Sequence, residues 1–311
     1  MFLPFYAFQT QMQPHLMFTR LRNIVLECER LGYRSVWIDD HLMYGKIPLL
    51  ECWTTLAALA SITSRIRLGT MVTSATFRNP AVLAKAAATV DIISKGRLEF
   101  GIGAGVQKEE HEAYGFTFPE PSVRISRMQE ALEIIKAMWA QEKTTYKGKH
   151  YEVNGAVCEP KPVQKPRPPI TVGGGGERLT LKVTAQHADR ADFGYLTCLE
   201  DYKHKVRVLE NHCKAVGRHF AEIEKSCWPT GQLILGENKR ELDEKINQLK
   251  PKTVSQVDYE KYTFAGTPDK FLEVLQPYRK LGATHFMLSF ADLTEMTSLR
   301  AFAKCAIPKL S

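Results

Sequence analysis

Short apolar or β-branched runs alternate with longer stretches of helical period along the whole chain, and no Ser/Gly linker interrupts them. Such a repeat can bury its apolar faces only by laying parallel strands side by side with helices packed outside. The first half reads as strand Leu3 to Phe8, helix Phe18 to Leu31 stopped by Gly32, strand Ser35 to Ile38, helix Glu51 to Thr63, strand Ile66 to Gly69, helix Pro80 to Ser94 and strand Arg97 to Gly101. A helix from Ser122 to Ala140 follows, with apolar residues at three-four spacing. The second half reads as strand Ile170 to Val172, helix Glu177 to His187, strand Ala191 to Gly194, helix Asp201 to Val216, strand Gln232 to Leu235, a long helical region, strand His285 to Ser289 and helix Thr294 to Cys305. Eight strands in one unbroken α/β series of 311 residues predict one closed barrel over residues 1–311. Two insertions interrupt the rhythm. Gln141 to Pro169 falls where the barrel has its bottom and predicts scaffold, whereas Gly236 to Thr267 falls on the top and predicts a lid.

Composition excludes several classes. The chain is 44% apolar and 24% charged, ordinary globular usage, which sets disorder aside. No uncharged apolar run is long enough to cross a bilayer, and the first residues lack a basic, cleavable leader, so the reading is a cytoplasmic protein without membrane attachment. Seven cysteines without CxxC spacing argue for free thiols in a reducing compartment. The formal charge of +8 is spread rather than blocked, which points away from nucleic acid and fits a small anionic partner.

Barrel chemistry belongs on the loops that follow the strands. Asp39-Asp40-His41 follows the second strand and offers carboxylates beside the side chain that titrates nearest neutrality, although an Asp there also caps helices. Gly101-Ile102-Gly103-Ala104-Gly105 removes side chains where a flat group could approach the backbone, or where a crowded rim needs small residues. Gly173 to Gly176 opens a helix and reads either as an amide cradle for a phosphate or as a tight turn. Glu109-Glu110-His111-Glu112 reads as a solvated helix start. No zinc spacing, GxSxG elbow or Cys/His nucleophile pattern occurs, so neither a metal nor a hydrolase is expected.

Taken together, the block from Arg65 to Gly105, with SVWIDDH upstream and PITVGGGGE downstream, resembles the bacterial luciferase-like superfamily over nearly the whole chain. The closest resemblance is to its coenzyme F420-dependent oxidoreductase branch. That resemblance implies a luciferase-like (β/α)8 TIM barrel holding a deazaflavin at the C-terminal ends of its strands. It places Asp40 and His41 beside the ring, His41 managing one proton and Asp40 orienting it or the ring. It places Met71 and Val72 in a bulge, often with a non-prolyl cis peptide, and Thr73, Gly105 and Val106 in the wall. Gly173, Gly174, Gly175 and Gly176 with Glu177 would receive the coenzyme's phosphate. The implied reaction is hydride transfer between coenzyme F420 and a small organic substrate, in a homodimer.

Two departures from that family bear on substrate. Where the sugar-phosphate dehydrogenase branch carries a glutamate after the glycine motif, this chain has Val106, and the pterin-reductase features cannot be placed. An FMN-dependent monooxygenase of the same superfamily stands as the alternative, and a non-catalytic cofactor carrier as a third reading.

Overall fold

The computed structural model describes residues 1–4, 13–195, 198–251 and 254–310. Most of the first expected strand and the loop after it lie outside the described residues. Eight parallel strands pair in sequence order: β1 (Phe2–Leu3), β2 (Ser35–Ile38), β3 (Arg67–Thr70), β5 (Leu98–Gly103), β8 (Ile170–Gly173), β9 (Arg190–Asp192), β10 (Glu224–Cys227) and β13 (Ala283–Phe286). A two-residue strand β4 (Thr73–Ser74) adds to β5. The two edges meet where the Phe2 amide donates to the Leu288 carbonyl at 2.8 Å, so the sheet curls back on itself as a (β/α)8 barrel.

Helices α1 (Pro14–Arg30), α2 (Cys52–Ile62) and α3 (Pro80–Ile93) cover the first half, α1 beginning at Pro14, four residues before the expected Phe18. Asn79 accepts from the Ala81 amide at 2.9 Å with Pro80 directly behind it, and Glu51 accepts from the Thr54 amide at 2.7 Å. A short α4 (Lys108–Ala113) precedes α5 (Pro121–Ala140), and the hairpin β6 (Thr144–Lys147) and β7 (Glu152–Ala156) lies along α5 through backbone bonds to Glu130. The second half is covered by α6 (Thr180–His187) and α7 (Leu199–Ala215), then, after the excursion described below, by α10 (Pro268–Lys280), α11 (Thr297–Cys305) and α12 (Ile307–Leu310).

One strand differs from the expectation. Barrel strand seven is Glu224–Cys227, which the sequence reading passed over, and β11 (Gln232–Leu235), expected in that role, pairs with β12 (Thr263–Gly266) in a separate two-stranded sheet. The cause is an inverted pattern. Apolar residues face outward to the helices, as Leu98, Phe100 and Ile102 do, all fully buried. The alternate row faces the barrel axis and carries charge: Glu99 bonds Arg67 and Arg190, and Arg190 reaches Glu224 at 2.6 Å. A strand contributing Glu224 and Ser226 to that axis carries no hydrophobic signal. The excursion expected as a lid runs from β11 through α8 (Lys239–Leu249) and α9 (Gln256–Tyr262) to β12, beside the mouth. Among the described residues, none of 236–267 lines the main cavity of the mouth, but residues 260–264 line an adjoining one that shares Tyr195 and Trp228 with it, and Leu233 bonds the Ser289 carbonyl and the Ala291 amide.

Candidate active site

At the top of the barrel the inner rows of β3, β5 and β8 end in glycines, against which neighbouring side chains pack closely. A Cβ at Gly69 would collide with the Trp37 ring, and one at Gly103 or Gly173 would come within 2.6 or 2.8 Å of the Val72 side chain. Val72 leans into that space after a cis Met71–Val72 peptide. Above it lies a cavity of about 420 Å³, within the range of small-molecule sites.

Eight expected residues, Asp40, His41, Met71, Val72, Gly105, Val106, Gly173 and Gly174, line this cavity. His41 is the acid–base candidate. Its Nδ1 lies 2.9 Å from Glu110 Oε1, while Glu110 Oε2 accepts the Leu42 amide at 3.0 Å. Burial works against the charged imidazole, but the hydrogen bond and charge of Glu110, with Asp39 and Asp40 adding, outweigh it and raise the His41 pKa above its ordinary value.

Glu110 is therefore a site residue that sequence reading missed, and the solvated helix start is corrected for it and for His111. Both are buried: Glu110 faces the cavity, and His111 Nε2 lies 2.6 Å from Thr76 Oγ1. The available signal was Gln107, Glu110, His111 and Tyr114, one face at three-four spacing.

Asp40, expected to orient His41 or the ring, lines the cavity and adds its charge beside His41. The Asp40 carboxylate is held by two Arg78 nitrogens, at 2.5 and 2.9 Å, by the Thr73 hydroxyl and by the Ser74 amide. Thr73 is fully buried behind the wall, where it also accepts from the Trp53 indole. Asp40 thus ties the loop after β2 to the connection after β3 at the edge of the cavity.

Of the four glycines, Gly173 and Gly174 reach the cavity; Gly175 and Gly176 do not. The bared-amide expectation fails at Gly174, whose N–H donates to the Asp192 carbonyl at 2.9 Å. The Gly175 carbonyl takes Lys205 Nζ at 2.7 Å, and Glu177 turns outward to His204. The helix begins at Thr180, three residues later than expected. Across the mouth stand Phe2, Asp192, Tyr195 and Trp228, none of them anticipated as site residues.

A glycine-lined barrel mouth with a buried imidazole–carboxylate pair in its wall defines a small-molecule site of the (β/α)8 class. The chain belongs to the luciferase-like monooxygenase family, whose model matches residues 1–292. An F420-dependent glucose-6-phosphate dehydrogenase from Amycolatopsis mediterranei is 26% identical over 321 residues, covering 93% of this chain and 94% of that protein. The enzyme of the same name from Kineococcus radiotolerans is 38% identical over 183 residues, covering 57% of this chain and 51% of that one, about half its length. Among solved structures, an F420-dependent secondary alcohol dehydrogenase in complex with an F420-acetone adduct has a TM-score of 0.81 at 20% identity, covering 100% of this chain and 98% of that one. This last likeness is one of fold. No cluster of metal-ligating side chains occurs among the described residues, and no helix of theirs is long and apolar enough to cross a membrane.

Proposed function

We propose that this protein is an oxidoreductase that binds coenzyme F420 in the barrel mouth and transfers a hydride between it and a small organic substrate. The observation carrying the reading is the His41–Glu110 pair set in the wall of a cavity whose glycines pack against Val72. That wall suits a flat ring system: the inner faces of Gly103 and Gly173 are filled by Val72, and a Cβ at Gly105 would meet Ser74 Oγ at 2.8 Å. The kinship with F420-dependent dehydrogenases supports the choice of coenzyme.

When bound, the deazaflavin supplies a two-electron hydride donor or acceptor that reacts poorly with oxygen. The chain's own work is then positioning and one proton. Val72, Gly103, Gly105 and Val106 would form the wall against which the ring rests. His41 Nε2 would hold or deliver the proton that balances hydride transfer at a carbonyl, with Nδ1 fixed by Glu110. Asp40, Thr73 and Arg78 would hold the strand ends in place. Phosphate contacts are proposed along Gly173 to Gly176, with the Gly174 amide already committed. Val106 stands where the sugar-phosphate branch has its glutamate, so the substrate is proposed to differ from glucose 6-phosphate.

The deciding experiment is titration with the reduced deazaflavin and, separately, with reduced FMN. Saturable binding of the deazaflavin without oxygen uptake is the expected result; tight binding of reduced FMN alone with oxygen consumption would assign the monooxygenase reading that the family's description favours. We further propose a cytoplasmic homodimer. Light scattering on the purified chain checks the assembly, with twice 35.2 kDa expected.

A further inference from the structure

The cavity has two unlike halves. Its β2, β3, β5 and β8 side carries the glycines, Val72 and the His41–Glu110 pair; its β9, β10 and β1 side carries three aromatic rings and a carboxylate. Trp228 stands at the centre of the second half. Its ring meets Phe2 edge-on at 4.9 Å between centroids and Tyr195 edge-on at 5.3 Å. Its indole N–H donates to Asp192 Oδ2 at 2.8 Å, which fixes the ring's orientation.

Asp192 is 3% exposed, and its hydrogen-bond donors are all neutral: the Trp228 indole, the Gly194 amide at 3.0 Å and the Ser226 hydroxyl. The cation on its own strand, Arg190, is engaged by Glu99 and Glu224 on the barrel axis. The other carboxylates treated above differ in this respect, because Asp40 has Arg78 and Glu110 has His41. A buried negative charge whose partners are all neutral is costly unless a counter-ion arrives. None of the described residues lining the cavity is a lysine or arginine; Lys261 lines the adjoining cavity that shares Tyr195 and Trp228.

We propose that the Asp192 carboxylate and the Phe2, Tyr195 and Trp228 rings form a subsite for a positively charged nitrogen, so that the substrate carries an ammonium-type group and phosphorylated substrates are rejected. Aromatic rings beside a cation and a carboxylate supplying its counter-charge are the two parts such recognition needs. Burial raises the Asp192 pKa against the pull of its hydrogen bonds and of Arg190, as expected for a carboxylate awaiting a counter-ion. The inference deepens the hydride-transfer reading of the same cavity and rests on it for the chemistry, while the binding is measured without it.

The test uses three probes of one shape on the purified chain by calorimetry: choline, uncharged tert-butylethanol and anionic tert-butylacetate. Choline is expected to bind at least roughly tenfold more tightly than the neutral isostere, and the anion not detectably. In Asp192→Asn the preference for choline should collapse to within roughly threefold, and Tyr195→Ala, at a half-exposed ring, should weaken choline roughly threefold to tenfold with the fold intact. Choline failing to bind, the anion or the neutral isostere matching it, or Asp192→Asn leaving its affinity unchanged would each overturn the subsite. Repeating the deazaflavin titration on the same samples separates the two readings, since failure of the coenzyme to bind leaves the choline series legible and failure of choline leaves the coenzyme isotherm intact.

Discussion

At the residue scale, His41 and Asp40 are neighbours in sequence with opposite tasks. Asp40 is buried and doubly bonded to Arg78, so Asp40→Ala should cost roughly 3 kcal/mol, because it leaves the guanidinium with Glu51 alone; urea unfolding at neutral pH measures it. His41→Ala should lower turnover at least roughly tenfold with coenzyme affinity retained. The pH profile separates a positioning role for Glu110 from a merely structural one. With Glu110 present the His41 pKa is raised, so the protonated acid persists to higher pH and activity falls only as pH rises through that raised value. In Glu110→Gln, burial is left to dominate, and the alkaline limb should move to lower pH; an unmoved limb would assign the proton to another group. His41 was legible because a histidine after a barrel strand is rare and placed. Glu110 and Asp192 were not, since a charged residue on a short helix or a three-residue strand reads as solvent-facing until tertiary packing buries it.

Elements were legible where their outward rows are apolar. Helices α1, α2, α3 and α5 stand within a few residues of expectation because caps and proline starts mark them locally. Strand β10 was hidden by its polar axis-facing row, and the start of α6 by a glycine run that continues into a turn. Between elements, Glu29 of α1 accepts the backbone N–H groups of Ser64, Arg65 and Ile66, clamping the connection into β3. Burial opposes its ionisation, yet these bonds prevail and draw its pKa down to about 2. A depressed carboxylate stabilises the fold above its unfolded pKa and ceases to as pH falls through the folded value. Glu29→Gln should therefore lower the melting temperature at neutral pH, with the difference from wild type vanishing near pH 2; thermal melts across that range check it.

For the whole molecule, the choice of a barrel followed from alternation, while its seventh strand and the contents of its axis did not. A charged axis of Arg67, Glu99, Arg190 and Glu224 contradicts the hydrophobic interior that pattern rules assume. Glu99→Ala leaves two arginines facing each other inside the sheet and should destabilise the fold by roughly 3 kcal/mol or more, read from denaturant midpoints. The polar axis ends upward at Asp192, and above Asp192 sits Trp228. Of the four tryptophans, Trp37, Trp53 and Trp139 are sealed in the interior, and Trp228 borders the mouth. The molecule thus carries its own optical gauge: Trp228 emission should report arrivals in the mouth against a steady background from the other three indoles.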